Sequence, residues 1–293
     1  MRDISDWSFL GYGEMSTLKQ EDLLSPDRVE YVMKYPRKFD DDRVNWEDVN
    51  EIIAAEIAKI LGLKTVSAEI AYRNGNRGCL MIHFINQYNA DSGETGAALL
   101  SAELGKPYDD LKEDNLPSIE LVEKSFSVIE SLPYFQAIKH DFVAMNIFDL
   151  LIGNQDRHPF NWQILFKGNK HFFGPLYDNG ASLGWQLPDL KLQGMLDSES
   201  KMNKYFKNMK VKSGLFENTQ PPLKSLQVLS YCIKHYQDEI KKLSKILGRF
   251  DMDYYENYID TFPLISSVRK QFLIKVIEFR IGKILSIIKK EAE

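Results

Sequence analysis

One stretch, GNQDRHPFNWQILFKGNKHFFGPLYDNG at residues 153–180, constrains the fold more than any other part of the chain. An apolar run at helical spacing (Phe142, Val143, Ile147, Leu150, Leu151) stops at Gly153, and a polar loop of five residues, 154–158, follows it. Two short apolar runs come next, residues 162–166 and 171–177, with Gly168-Asn169 between them, which is the pattern of a β-hairpin. A hairpin here returns Asn161 and Asp178 towards each other. Facing or diagonal positions on paired strands lie roughly 5–8 Å apart, so one divalent cation can touch both side chains. Asp156 precedes the first strand, in the loop. One acid in a loop, with an amide and a second acid on a hairpin, suits Mg²⁺-dependent phosphoryl transfer. There the protein mainly has to hold metal, phosphates and acceptor in line.

The rest of the chain allows such a site to be enclosed. Its 293 residues can form one large domain or two lobes sharing a cleft, and 44% hydrophobic with 12% aromatic content is enough for a packed core. A formal net charge of −5 gives no basic footprint for nucleic acid. The two cysteines, Cys79 and Cys232, have no metal-ligand spacing and read as buried thiols of a reducing compartment. The first residues lack the basic and apolar regions of a classical signal peptide, and no apolar run reaches transmembrane length. A cytoplasmic, membrane-free protein is the expectation, with non-classical secretion left open.

Before the central stretch, residues 29–35 alternate like a strand until Pro36, with Lys34 at the end. Residues 45–62 are the best helix of this half: Asn45 is positioned to cap it, Gly62 to stop it, and Val49, Ile52, Ile53, Ile57, Ile60 and Leu61 form one apolar stripe. Glu51 and Glu56 are its acids that can reach inwards. Two strands, 66–72 and 78–84, flank the turn signal Asn74-Gly75. Residues 86–118 read as a lobe boundary with a surface insertion. Residues 119–132 and 134–152 read as helices, the second delivering the polar loop. Residues 186–216 show little regular pattern but repeat lysine at 201, 204, 207, 210 and 212, either a solvated face or a surface for an acidic substrate. Long helices are expected over 223–247 and 266–290, the latter capped by Ser266 or Ser267.

The D-x-x-x-x-N of Asp156 to Asn161, followed by Tyr177-Asp178-Asn179-Gly180, resembles the catalytic and metal-binding loops of the HipA-like serine/threonine kinases, in particular their short form. More distantly, the wording Gly-Asn-Gln-Asp-Arg-His is similar to the phosphatidylinositol 3/4-kinases. The resemblance implies an α+β, bilobal protein-kinase-like fold. A small β-rich N-lobe with one main helix would take residues 1–88, and a larger, mostly helical C-lobe residues 89–293. It implies a serine/threonine protein kinase using ATP and Mg²⁺. Asp156 would orient the acceptor hydroxyl, and Asn161 and Asp178 would hold the metal. His158 would share the proton-handling role or make a structural hydrogen bond, and Arg157 would brace the loop.

Further roles follow from the same resemblance. Gly11, Gly13 and Ser16 would belong to a phosphate-covering turn, and Lys34, in a Lys-x-Pro strand end, would bind phosphate. Glu51 would hold Lys34 by a charge-assisted hydrogen bond, with Glu56 as the alternative. Met81, Ile82 and Phe84 mark the hinge that holds adenine. The extra N-terminal subdomain of full-length HipA is expected to be missing, and Ser16 or Thr17 is the expected autophosphorylation site. The protein substrate stays open, a small antitoxin is a possible partner, and a lipid or small-molecule kinase and a non-catalytic nucleotide-binding module are the alternatives.

Overall fold

A computed structural model describes residues 1–13, 19–38, 45–108, 118–212 and 222–292. The N-terminal part is a six-stranded sheet in the order β1-β5-β6-β4-β3-β2. Its strands are β1 (Arg2–Asp3), β2 (Ser8–Tyr12), β3 (Gln20–Leu24), β4 (Glu30–Lys34), β5 (Ala68–Arg73) and β6 (Asn76–Ile82). All neighbours are antiparallel except β1 and β5. The β5–β6 hairpin turns through Asn74 and Gly75, both in the left-handed region that a tight hairpin turn requires.

Helix α1 (Glu47–Ile60) lies between this sheet and the helical part, and its buried residues include Glu47, Asp48, Asn50 and Glu51 as well as the apolar stripe. A helix buried on so many sides can carry polar groups only where each finds a partner. Arg77 binds Asp48 through two hydrogen bonds (2.6 and 3.1 Å), and Asn50 Nδ2 donates to the Ser182 carbonyl at 2.7 Å. The expected Asn45 cap is not formed. The cap position is Trp46, without a side-chain bond, because Asn45 Oδ1 accepts from the adjacent Trp46 amide at 2.6 Å instead.

The remainder is mostly helical: α2 (Phe84–Gln87), α3 (Gly96–Leu104), α4 (Ser118–Ser131), α5 (Phe135–Ile152), α6 (Asp189–Leu196), α7 (Glu199–Lys207), α8 (Ser225–His235), α9 (Gln237–Leu247), α10 (Met252–Thr261) and α11 (Ser267–Ala292). The predicted hairpin is present as β8 (Gln163–Lys167) and β9 (Lys170–Phe173). A third strand, β7 (Ser92–Thr95), joins it from within the expected surface insertion. Sequence could not show that strand, because Ser-Gly-Glu-Thr has no apolar alternation.

Other expectations are corrected by local packing. Residues 186–216 contain α6 and α7, the latter started by Ser198, whose side chain accepts from the Lys201 amide. The helix expected over 223–247 breaks at Tyr236 (φ −129°), whose hydroxyl bonds Glu130 Oε1 at 2.6 Å. The strand expected to 84 ends at Ile82 and passes into α2. Ser266 caps α11 as expected, its hydroxyl accepting from the Arg269 amide at 3.1 Å.

One large apolar cluster runs from α1 through α5 to α11, and a small one (Ile4, Trp7, Leu23, Met33, Tyr35, Ala71, Leu80) fills the far side of the sheet. Cys232 belongs to the large cluster, and both cysteines are buried free thiols.

Candidate active site

Helix α5 fixes the site from below. It ends at Gly153 in the left-handed conformation (φ +73°), and Arg280 of α11 donates to the Leu151 carbonyl at 3.0 Å, satisfying the helix terminus. The chain then turns into 154–158, and Arg157 folds under it. That guanidinium is fully buried. It holds Asp149 bidentately (2.9 Å twice) and donates to the carbonyls of Asn161 (2.7 Å) and Tyr177 (2.6 Å) and to Asn179 Oδ1 (2.5 Å). One side chain thus joins the end of α5, the 3₁₀ turn Pro159–Asn161 and the segment after β9. The bracing expected of Arg157 is what the structure shows.

A cleft of about 840 Å³ opens between the sheet and the helical part, within the size range of small-molecule sites. Its walls bring together Gly13, Lys34, Glu51, Met81, Ile82, Phe84, Asp156, His158, Asn161 and Asp178. Gly11 is not among them: it pairs with Asp22 beside a register shift in β2. Ser16 and Thr17 lie outside the described residues. Glu56 also lies away from the cleft, bonding the Tyr254 hydroxyl at 2.8 Å.

Val32 and Lys34 sit on one face of β4, two residues or roughly 7 Å apart, opposite Met81 and Cys79 respectively. The cleft therefore has an apolar level (Val32, Met81) and a charged level. Phe84 stacks on Tyr177 at 5.2 Å at the apolar side.

Lys34 and Asp178 meet across the cleft, Nζ to Oδ1 at 2.8 Å. Burial opposes both charges. For Asp178 the opposition is outweighed by Lys34, His158 and Arg157, which hold its carboxyl below the usual value. Lys34 is likewise raised, because Asp178 and Glu51 outweigh desolvation. Asp178 adopts φ +57°, a left-handed conformation unusual for a residue with a side chain, which places strain at this point of the site.

Glu51 does not take the role expected of it. It accepts hydrogen bonds from the Asn179 amide and from Asn179 Nδ2, so it fastens the turn after Asp178 and acts on Lys34 only through space. Burial, then the charge of Asp178, pushes its carboxyl up to about 7.

Asn161 Nδ2 donates to the Asp156 carbonyl at 2.9 Å, tying the two ends of the 156–161 loop together. Lys212, read from sequence only as part of a lysine run, enters the cleft and pairs with Asp156 at 2.7 Å. Asn179 and Asp149 were also missed as site residues. Asn179 stood in the Tyr177–Gly180 motif with no role of its own and nothing local marks Asp149, since both roles exist only once Arg157 and Glu51 reach them. An amide oxygen and an ionised carboxylate, Asn161 and Asp178, are suitable donors for a hard cation. Among the described residues no three His, Cys, Asp or Glu side chains gather as a metal cage.

A β-sheet with one buried helix, a charged cleft and a helical second part is the architecture of the kinase-like phosphotransferases. No family model matches the chain. The serine/threonine-protein kinase CtkA of Helicobacter pylori strain J99 is 28% identical over 154 residues, 52% of this chain and 46% of that protein. This match therefore spans about half the length of the curated relative. The crystal structure of the H. pylori proinflammatory kinase CtkA superposes with a TM-score of 0.76 at 22% identity, covering 99% of this chain and 98% of that one. HipA of Shewanella oneidensis MR-1, from a complex with HipB and operator DNA, gives 0.56 at 13% identity, covering 98% and 68%. The fold is thus the HipA-like, CtkA-type kinase fold that the residues at 156–161 and 177–180 resemble.

Proposed function

We propose that this chain is an ATP- and Mg²⁺-dependent serine/threonine protein kinase of HipA-like type, with autophosphorylation. The observation that carries the reading is the Lys34–Asp178 pair closing a cleft whose opposite wall presents Asp156, His158 and Asn161. Lys34 is the phosphate ligand, held over the site by β4. Asp156 accepts the proton of the acceptor hydroxyl, and Asn161 with Asp178 holds the cation. Mg²⁺ held by Asn161 and Asp178 would supply positive charge against the phosphates. Val32, Met81, Phe84 and Tyr177 offer an apolar place for a flat base, one strand step from Lys34.

The protein substrate is a cytoplasmic or delivered target with a hydroxyl acceptor, and a small antitoxin is the proposed partner. Among the described residues no helix is long and apolar enough to cross a membrane. The test is incubation with γ-labelled ATP and Mg²⁺, with generic protein acceptors and with phosphoinositide vesicles, comparing wild type, Asp156→Ala and Asp178→Ala. Label on protein that disappears in both variants supports the reading. Label on lipid replaces it with the lipid-kinase alternative, and ATP binding without transfer replaces it with a non-catalytic module. Phosphopeptide mapping of Ser16 and Thr17 decides the autophosphorylation site.

A further inference from the structure

Lys212 lines the cleft, and the proposed reaction assigns it no task. It follows α7 in a short stretch anchored by buried Met209 and Val211. Backbone bonds hold that stretch, from Val211 to the Leu223 carbonyl (3.0 Å) and from Ser225 to the Met209 carbonyl (3.1 Å). Its ammonium lies 2.7 Å from Asp156 Oδ1, with side-chain exposures of 25% for Lys212 and 38% for Asp156. The other four lysines of the run, 201, 204, 207 and 210, are exposed, and none of them lines the cleft. Position 212 alone of the five is carried inwards.

The cleft therefore holds two lysine–carboxylate pairs, Lys34 with Asp178 and Lys212 with Asp156. A solvent-accessible pair such as Lys212–Asp156 contributes no more than about 1 kcal/mol, so it exchanges readily when either member meets a better partner. A phosphoryl group in transfer spreads negative charge over its outer oxygens, and a cation on a fixed support is the group that stabilises it.

Resting on the phosphotransferase reading above, we propose that Lys212 is a further catalytic residue, released from Asp156 by the acceptor hydroxyl to take up the charge of the phosphoryl group in flight. In that step the hydroxyl oxygen forms a bond to the γ-phosphorus, and the bond from phosphorus to the bridging oxygen breaks. ADP leaves with that electron pair, and the hydroxyl proton passes to Asp156. The hydroxyl takes the ammonium's place on Asp156, so the cation is free to turn to the phosphoryl oxygens at the moment they need it.

The experiment uses the full chain as wild type, Lys212→Met, Lys212→Arg and the surface control Lys210→Met. Turnover of γ-labelled ATP with Mg²⁺ is read on casein, on myelin basic protein and on the chain itself, beside ATP affinity by calorimetry. Lys212→Met is expected to lower kcat by about 100-fold or more. ATP affinity and apo melting temperature are expected to stay at the wild-type values, because without an acceptor the ammonium rests on Asp156. Lys212→Arg recovers part of the lost kcat, and Lys210→Met equals wild type. Active wild type with Lys212→Met at the same kcat overturns the assignment alone. So does equal loss in the Met and Arg variants with a lowered melting temperature, which marks a folding role. Wild type that binds ATP without transferring label, or that does not bind it, overturns this assignment and the kinase reading together.

Discussion

Replacing Arg157 by Met tests whether one buried guanidinium holds the site together. The side chain has no solvent exposure and gives five hydrogen bonds, two of them to Asp149, itself 2% exposed. Met keeps the apolar stem and removes the charge. Breaking a buried ion pair from one side costs about 3–5 kcal/mol, because the remaining charge has no compensation. The three oxygen acceptors that lose a donor, on Asn161, Tyr177 and Asn179, push the cost towards the upper end. Total stabilities run about 5–15 kcal/mol, so the variant sits close to unfolding at 37 °C. Adding Asp149→Asn removes the orphaned charge, and the double variant should recover at least about 2 kcal/mol of the loss. Urea denaturation followed by tryptophan fluorescence reads both numbers. A single variant within about 1 kcal/mol of wild type, or a double variant no better than the single, refutes the hub argument.

Two other perturbations probe neighbouring links. Glu51 has a folded pKa of about 7 against an ordinary value of 4.5. The folded state thus binds more protons between those pH values, and stability falls as pH rises through that window, by up to about 3 kcal/mol. Glu51→Gln still accepts from Asn179 but does not titrate, so denaturation midpoints at pH 5 and 8 should converge in the variant. An unchanged pH slope contradicts the assignment of that proton to Glu51. Gly180→Ala places a Cβ 2.7 Å from the Glu47 carbonyl, a backbone atom that cannot swing aside. The expected cost is about 1–3 kcal/mol with loss of phosphotransfer, checked by melting and label transfer, and wild-type activity would show that the turn has slack.

What was legible in the sequence is what short-range chemistry encodes. The hairpin announced itself through Gly168 and flanking apolar runs, α5 through its period and Gly153, and α1 through its stripe. The hairpin and α5 brought Asn161, Asp178 and Asp156 together, because covalent spacing and strand pairing leave little freedom once the elements are known, whereas Lys34 was assigned to the same cleft only through the family resemblance. Strand β7 was invisible because its pairing with β8 is made by backbone groups, which residue type scarcely reports. The break at Tyr236 was invisible because its hydroxyl bonds Glu130 from a distant helix.

Charge pairing shows where sequence reasoning runs out. Lys34 and Glu51 are 17 positions apart on neighbouring elements, and any carboxylate within reach satisfies an ammonium. Asp178, 144 positions away, wins because its φ of +57° brings the carboxylate into the cleft, while Asn179 presents two N–H donors to Glu51. One left-handed residue thereby sorts two acids, one facing the cleft and Lys34, the other buried under the turn and protonating near neutrality. Lys212 follows the same logic from the opposite wall. A lysine run looks uniform in sequence, and only the buried anchors at 209 and 211 decide which member reaches Asp156. Selectivity among like charges is set by the backbone that carries them, and that backbone is fixed by packing far from the charges.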